Sequence, residues 1–330
     1  MGGGRLCWGA GMGSVLTSQV ARRALRPIIS ELDRRIERGV RRGSAGEARE
    51  LRARVDALSA ELAEARRELD EARVPRYALE LLLGKEGGRP ASRLPTKGLI
   101  DTLSGEVAAT TGAKDARAQV VAAYRTLVEV EMRGVGRMAG GTANILGKLT
   151  ATPLLGPPNA EVLEIGTLFG LFSGALARQL SRFGLTCSLT IVDPLADVQL
   201  QPGTRNGRDP SGSPVSEQVL RANLALAGVD PERVRVRPGF SGDPEVRDAV
   251  SDRSYGVVVV DGDHSAEGVA DDLAWVEEIV APGGIVVVDD YGDRNWPGVK
   301  EAADRHLADS DLLELVGVCS TSAFLRARGA

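Results

Sequence analysis

Short aliphatic runs alternate with helical patterns along the second half of the chain, and this alternation limits the possible folds more than any other feature. The predicted strands cover 161–166, 186–193, 233–239, 255–263, 284–290, 312–318 and 321–327, and the predicted helices cover 170–184, 215–228, 243–251, 265–283 and 297–309. A helix between successive strands implies right-handed crossovers and a parallel sheet. The last two strands have no helix between them, so one of them should run antiparallel. The sequence therefore predicts the α/β class, with a mostly parallel seven-stranded sheet.

The fourth predicted strand runs from four consecutive valines into a cluster of ionisable residues. Asp261 ends this strand and His264 follows it, while Asp289 and Asp290 end the fifth strand, which should lie beside it. Ligands of a parallel sheet bind beyond the carboxyl ends of its strands. Three carboxylates there would repel one another unless a cation holds them, and Mg²⁺ takes such oxygen ligands. We therefore predict Mg²⁺ at Asp261, Asp289 and Asp290, with His264 placed to accept a proton from a bound hydroxyl.

Purely structural interpretations of the same residues stay open. One of the three acids could cap a helix and another could pair with Arg294. His264 could be a solvated loop histidine, since a single histidine carries little information by itself.

The first predicted strand leads into a glycine-containing turn, "EIGTLFG", which holds Glu164, Gly166 and Gly170. Glycine is needed where the backbone approaches a ligand closely or takes a positive φ. Asp193 ends the second strand, 27 residues after Gly166, where an acid can accept hydrogen bonds from both hydroxyls of a ribose. The alternative is that Asp193 only caps the turn before Pro194. The turn and the acid together favour a site for a nucleoside.

An apolar heptad pattern marks the N-terminal half. Apolar residues recur in alternating steps of three and four over 48–72, at Ala48, Leu51, Val55, Leu58, Leu62, Ala65, Leu69 and Ala72, with Glu and Arg between them. We call this stripe the seam. Its pattern is typical of a coiled coil and predicts a homodimer joined through 48–72. The alternative is that the seam packs against the body of its own chain.

Glycine and proline divide the chain into three predicted parts. Residues 84–98 are rich in both and form a loop or linker, the helical pattern resumes over 99–150, and "PLLGPPN" at 153–159 precedes the first strand. The predicted domains are therefore a helical and coiled-coil region at 1–83, a linker and helical substrate-side cap at 84–154, and an α/β domain at 155–330.

Composition excludes several classes of protein. The longest apolar runs have the length of strands, so we expect no membrane span. The three cysteines, Cys7, Cys187 and Cys319, form neither a CxxC pair nor an even framework, which favours a reducing, cytoplasmic setting. The N-terminus lacks a clear cleavage site, so we expect no export signal. Residues 1–150 carry 26 Lys and Arg against 18 Asp and Glu, but these arginines alternate with glutamates, so we expect no nucleic-acid partner.

Several of these stretches resemble a known family. The stretch "VLEIGTLFG", the acid that ends strand two, "DGDHSAEGVADDLAWV" and "PGGIVVVDDYG" are similar to class I S-adenosylmethionine-dependent methyltransferases. They resemble in particular the metal-dependent macrocin- and mycinamicin-type O-methyltransferases of natural-product and sugar modification. The resemblance covers about 155–327 and implies a Rossmann-like, doubly wound sheet. It also implies transfer of a methyl group to a hydroxyl of a small molecule.

The resemblance implies a role for each matching residue. It places the cofactor S-adenosylmethionine (SAM) against Glu164, Gly166, Thr167, Gly170, Asp193, Phe240 and Ser241. It makes Asp261, Asp289 and Asp290 the Mg²⁺ ligands, and it makes His264, with Asp261, the catalytic pair. Two alternatives remain: a metal-independent methyltransferase of the same fold, or a coiled-coil scaffold that carries a non-catalytic methyltransferase-like domain.

Overall fold

The chain divides into two units, Met1–Ala78 and Leu79–Ala330. The computed structural model describes residues 19–41, 45–82, 93–197, 200 and 213–329. The start of the chain, for which we expect no export signal, lies outside the described residues. No helix in the described ranges is long and apolar enough to cross a membrane.

Two helices make up most of the first unit. Helix α1 spans Gln19–Arg41 and helix α2 spans Ala45–Leu82, the second running just past the unit boundary. Among the seam residues of α2 whose side chains are described, Leu51, Val55 and Leu62 are partly buried, and Leu58 and Leu69 are 52% and 49% exposed. The seam therefore presents apolar surface along α2, and a coiled coil through it stays a prediction.

Three helices precede the sheet in the second unit. They are α3 (Lys97–Thr111), α4 (Ala116–Arg133) and α5 (Thr142–Leu154). Thr96 starts α3 by accepting a hydrogen bond from the Leu99 amide at 3.1 Å, and Gly112 ends it with φ +73°. Helix α5 is buried along almost its whole length. A helix that is buried all round has no solvated face, so any charge on it must find a partner inside the protein.

The sheet has the predicted seven strands. They are β1 (Glu161–Ile165), β2 (Ser188–Asp193), β3 (Val234–Pro238), β4 (Tyr255–Val260), β5 (Val280–Val288), β6 (Leu313–Cys319) and β7 (Ser322–Ala327). Their order is β3-β2-β1-β4-β5-β7-β6. Strands β1 to β5 pair in parallel, and β7 runs antiparallel to both of its neighbours. This arrangement confirms the predicted α/β class with a mostly parallel sheet and one antiparallel strand.

Helices cover both faces of this sheet. After β1 the chain forms α6 (Leu171–Arg182), α7 (Glu217–Leu226), α8 (Pro244–Val250), α9 (Ala266–Ile279) and α10 (Pro297–Asp309). One apolar cluster joins one face to α3–α7, and a second joins the other face to α8–α10. The strand order reverses between β1 and β4, and in such sheets this is where the crevice for a ligand opens.

One predicted boundary is wrong. The helix predicted over 265–283 ends at Ile279, and β5 begins at Val280, which pairs with Tyr255 of β4. Pro282 and the pairing with β4 explain the difference, because the residue just before a proline disfavours the helical conformation and Val280 pairs with Tyr255 instead. The apolar pair Val280 and Ala281 therefore extends the strand instead of the helix.

Candidate functional site

A cavity of about 950 Å³ opens at the carboxyl ends of the strands. Its size falls within the range of small-molecule sites. The predicted site residues that line it are Glu164, Gly166, Thr167, Asp193, Phe240, Ser241, Asp261, His264, Asp289 and Asp290. The fold thus brings the residues predicted for the cofactor and those predicted for catalysis to one space. Gly170 is the predicted site residue that does not line this cavity.

Gly166 allows the turn after β1 to lie against the end of β4. It has φ +82°, and a Cβ there would lie 2.1 Å from the Asp261 carbonyl oxygen. A side chain at this position would therefore force the two strand ends apart. Gly170 serves the same turn differently: with φ +74° it leads into α6, and a Cβ there would lie 2.9 Å from Leu220 Cγ.

Asp193 holds this turn through its carboxylate. One oxygen accepts hydrogen bonds from the backbone amides of Thr167 (2.7 Å) and Leu168 (3.1 Å), and the other accepts from Leu195 (2.7 Å). These bonds agree with the turn-capping interpretation. These three bonds do not use all the hydrogen-bonding capacity of the carboxylate, because it has about four acceptor positions. Asp193 can therefore hold the turn and still meet a hydroxyl from the cavity.

Glu164 lies in the cavity wall under the same turn. It is buried and accepts a hydrogen bond from the Ser173 hydroxyl of α6. Burial raises the pKa of Glu164 to about 7, and the bond from Ser173 opposes this rise. The residue therefore joins β1 to α6, as a support for the turn requires.

His264 lies between two of the predicted carboxylates. Its Nε2 is 3.3 Å from Asp261 Oδ1, and its Nδ1 is 3.6 Å from Asp290 Oδ2. Burial lowers the pKa of His264, but the bond and charge of Asp261 outweigh burial and raise it. In the described ranges, Asp261, His264 and Asp290 form the group whose ligand atoms could hold a metal ion, all within 4.8 Å of one another.

Asp289 is not in that group, and Lys148 of α5 pairs with it. The Lys148 ammonium contacts Asp289 Oδ2 and lies 3.5 Å from Asp261 Oδ2. Burial lowers the pKa of Lys148, but the charges of Asp289 and Asp261 outweigh burial and raise it. Burial raises the pKa of Asp289, and the charge of Lys148 reverses this and lowers it. Burial and the charges of Asp289 and Asp261 raise the pKa of Asp290 to about 7.

The sequence does contain a signal for Lys148. It is the one charged residue of "TANILGKLTATPL", the segment that forms α5. A lone charge within a buried helix needs an internal partner, and carboxylates were already predicted at the strand ends. The sequence pattern does not predict that α5 lies over those strand ends.

Arg93 also lies outside the predicted site, and it shapes a wall of the cavity. Its buried guanidinium donates to Glu131 at 2.9 Å and to the carbonyl oxygens of Met138 (2.7 Å) and Gly140 (3.0 Å). Met138 and Gly140 both line the cavity. Arg93 therefore fixes the stretch between α4 and α5 that faces the ionisable cluster.

The opposite wall near His264 is aromatic and polar. The rings of His264 and Trp296 meet edge to face, with centroids 4.9 Å apart. Asp293 and Asn295 line the cavity beside them. This wall offers a flat apolar surface together with hydrogen-bonding groups.

Comparison with known proteins agrees with this geometry. Residues 163–291 match a family described as a methyltransferase domain. No curated protein matches the chain. Among solved structures, cofactor-bound Rv0187 from MTB is similar at 19% identity and a TM-score of 0.43, over 72% of this chain and 100% of that one.

Two further similar structures are complexes with ligands. An O-methyltransferase from Bacillus cereus in complex with SAH is 15% identical, with a TM-score of 0.41 over 71% of this chain and 93% of that one. MycE, in complex with Mg, SAH and mycinamycin VI, is 20% identical, with a TM-score of 0.35 over 52% of this chain and 46% of that one.

The sheet order and the family match over 163–291 agree with the class I methyltransferase domain that the sequence predicts.

Proposed function

We propose that this chain is a methyltransferase that transfers the methyl group of SAM to a hydroxyl oxygen of a small molecule. The observation that carries the proposal is the single cavity, which joins the turn at Gly166 to the pair His264 and Asp261. A methyl donor and an acceptor must share one space for an in-line displacement, and the enzyme gains rate by orienting them.

The residues around the Gly166 turn fit SAM. The bare backbone at Gly166 lets the turn lie against the end of β4, and this turn lines the cavity. Asp193, at the cavity wall, retains acceptor positions for ribose hydroxyls. Phe240 is exposed at the cavity and, with Ser241, could border the adenine. When bound, SAM supplies the electrophilic methyl carbon.

His264 and Asp261 provide the proton transfer that this reaction needs. His264 accepts the proton of the acceptor hydroxyl as the oxygen forms its bond to the methyl carbon and the carbon–sulfur bond breaks. The electron pair of that bond stays on sulfur, so charge balances. Asp261, 3.3 Å from Nε2, orients the imidazole and stabilises it after it takes the proton.

The wall near His264 favours an acceptor with a ring and several polar groups. Trp296 offers an apolar surface for a ring, while Asp293 and Asn295 offer acceptors and a donor for hydroxyls. A sugar or a glycosylated natural product has both features. We therefore propose that acceptor class.

The predicted reaction also involves a bound Mg²⁺ ion. The ligand atoms of Asp261, His264 and Asp290 lie close enough to hold a divalent cation, and such an ion would lower the pKa of a bound hydroxyl. The predicted set with Asp289 does not fit Mg²⁺ in this arrangement, because Asp289 is already paired with Lys148. A metal-dependent reaction would therefore use a ligand set other than the predicted one.

We also propose that two copies of the chain associate through the seam of α2. Its support is the partial or full exposure of five apolar seam residues, namely Leu51, Val55, Leu58, Leu62 and Leu69.

The function is tested by incubating the full-length protein with isotopically labelled SAM and a panel of sugars and glycosides. We expect label in a product that is heavier by one methyl group, and we expect His264→Gln to reduce turnover about 10²–10⁴-fold while SAM still binds. Calorimetric titration with S-adenosylhomocysteine checks binding separately. Methylation of a nitrogen or carbon acceptor, with no hydroxyl methylated, would contradict the proposal.

A further inference from the structure

We propose that the Lys148 ammonium takes the place of the divalent cation, so that this site transfers methyl groups without a metal ion. The inference deepens the proposed function, since it concerns the same site. It starts from an elementary requirement: carboxylates that converge in a buried place need a positive charge among them.

The position of Lys148 meets that requirement. Its ammonium contacts Asp289 at the end of β5 and lies 3.5 Å from Asp261 at the end of β4. A divalent ion held by Asp261 and Asp289 together would occupy the space between these two carboxylates. The side chain of Lys148 fills it instead.

The remaining oxygen of Asp289 is also engaged. Oδ1 accepts hydrogen bonds from the Asn144 amide at 2.6 Å and from the Ser322 hydroxyl at 2.8 Å, while Oδ2 contacts Lys148. A carboxylate that binds a metal must turn at least one oxygen toward it. In this structure both oxygens of Asp289 already meet donors of the protein.

An imidazole lies next to the other carboxylates. His264 lies between Asp261 and Asp290, with one ring nitrogen toward each. Asp289, Lys148, Asp261, His264 and Asp290 thus form a row in which acidic and basic groups alternate. A divalent ion entering this row would meet the fixed charge of Lys148 on the far side of Asp261.

Lys148 is held in this place by its surroundings. Its side chain is almost fully buried, on a helix that is itself buried along almost its whole length. Its ammonium also lies 4.7 Å from the centre of the Phe172 ring, a cation–π contact. To admit a metal ion, the protein would have to move a buried charge out of contact with a carboxylate and an aromatic ring.

Lys148 can also replace part of what a metal does. Negative charge builds on the acceptor oxygen as its proton moves to His264, and a fixed positive charge in a water-poor site stabilises it. Lys148 keeps its own proton throughout, so it is a positioning residue that acts through Asp261 and the local field.

Metal binding tests this inference directly. The full-length protein, stripped of metal with EDTA and saturated with S-adenosylhomocysteine, is titrated with Mn²⁺ and followed by calorimetry and electron paramagnetic resonance. We expect no stoichiometric Mn²⁺ site in the wild-type protein at sub-millimolar Mn²⁺. We expect Lys148→Met to acquire one, because Asp289 and Asp261 then lack their cation.

The control variant is Lys97→Met, which removes an exposed lysine at the start of α3 and should leave Mn²⁺ binding unchanged. A wild-type protein that binds one Mn²⁺ at sub-millimolar concentration would overturn the inference, and loss of that site in Asp289→Asn would assign Asp289 as one of its ligands. If Lys148→Met does not fold, the wild-type titration alone still decides.

A second readout uses activity. Methyl transfer that is unaffected by EDTA supports the inference, and transfer that EDTA abolishes and Mg²⁺ restores overturns it. Absence of methyl transfer to every acceptor would count against the proposed function, and the Mn²⁺ titration would still report on Lys148. The two failures are therefore distinguishable.

Discussion

Lys148 and Asp272 are both buried ionisable residues, but the fold treats them differently. Lys148 has carboxylates on two strands, and their charges raise its pKa although burial lowers it. Asp272 on α9 is 1% exposed, and its ion pair with Arg247 is long, at 3.9 Å. Burial therefore dominates and raises the pKa of Asp272 to about 6. Neighbouring carboxylates therefore compensate the burial of the Lys148 charge, whereas burial of the ionised Asp272 carboxylate is a free-energy cost to the folded state.

This cost predicts a pH dependence of stability. A carboxyl whose pKa is 3.8 in the unfolded chain and about 6 in the folded protein binds more protons when folded between these values. Stability should therefore fall as pH rises from about 4 to 6. Asp272→Asn should flatten that part of the profile and stabilise the protein at pH 8 by up to about 3 kcal/mol.

Urea unfolding across this pH range measures the effect. Glu278→Gln is the control, because Glu278 is an exposed carboxylate on the same helix, and its substitution should keep the wild-type slope. If the stability of Asp272→Asn falls with pH as steeply as that of the wild-type protein, burial of Asp272 is not the cause of that fall.

For Asp193 we expect a different outcome, because its substitution should weaken both cofactor binding and the folded state. Asp193→Asn replaces one acceptor oxygen by an amide that faces backbone donors of the turn, so cofactor binding should weaken by about 1–3 kcal/mol. Titration with S-adenosylhomocysteine checks this. Asp230→Asn is the comparison: Asp230 accepts from the Glu232 amide in a turn outside the cavity, so it should leave affinity unchanged.

At the scale of elements, the turn between β1 and α6 determines how closely β1 approaches the end of β4. Gly166 and Gly184 have nearly the same φ, +82° and +81°, but only Gly166 has backbone where a Cβ would be. The two glycines therefore separate the cost of a left-handed conformation from the cost of a clash.

Gly184→Ala should destabilise the protein by about 1–2 kcal/mol through its left-handed φ alone. Gly166→Ala should cost at least about 1–3 kcal/mol more, because the Asp261 carbonyl must move. It should also abolish S-adenosylhomocysteine binding, which Gly184→Ala should not. Thermal unfolding and calorimetry measure both effects, and equal losses in the two variants would show that the close approach is unimportant.

Sequence patterns predict these elements well where periodicity is strong and poorly where contacts are distant. The valines of β4 and the turn after β1 follow from local patterns. The start of β5 does not, since Val280 and Ala281 fit both the end of a helix and the start of a strand until Tyr255 pairs with Val280. Lys148 is the extreme case, because its partners lie more than a hundred positions away, at Asp261 and Asp289.

At the scale of the whole molecule, the first unit carries the predicted dimer contact and the second carries the cavity. A substitution in the seam should therefore change the oligomeric state without changing cofactor affinity. Leu58→Glu with Leu69→Glu places two charges at seam positions that are about half exposed in one chain.

We expect light scattering to show a dimer for the wild-type protein at micromolar concentration and a monomer for this double variant. Each buried leucine of a dimer contributes on the order of 1.5–3 kcal/mol. Ala53→Glu with Ala60→Glu adds the same two negative charges at exposed positions of α2 away from the seam and should remain dimeric. A wild-type monomer would disprove the seam contact.

The position of β7 in the sheet determines which contacts can form while the chain is still being translated. β7 is the last of the seven strands to be translated, yet it lies between β5 and β6. Before its synthesis, β6 has no strand partner in the described sheet. Ser322 of β7 bonds to Asp289, and Arg326 of β7 donates to the Leu155 carbonyl just after α5. A nascent chain can therefore form the nucleoside side of the cavity early, but the surroundings of Lys148 are completed only when the final strand has left the ribosome.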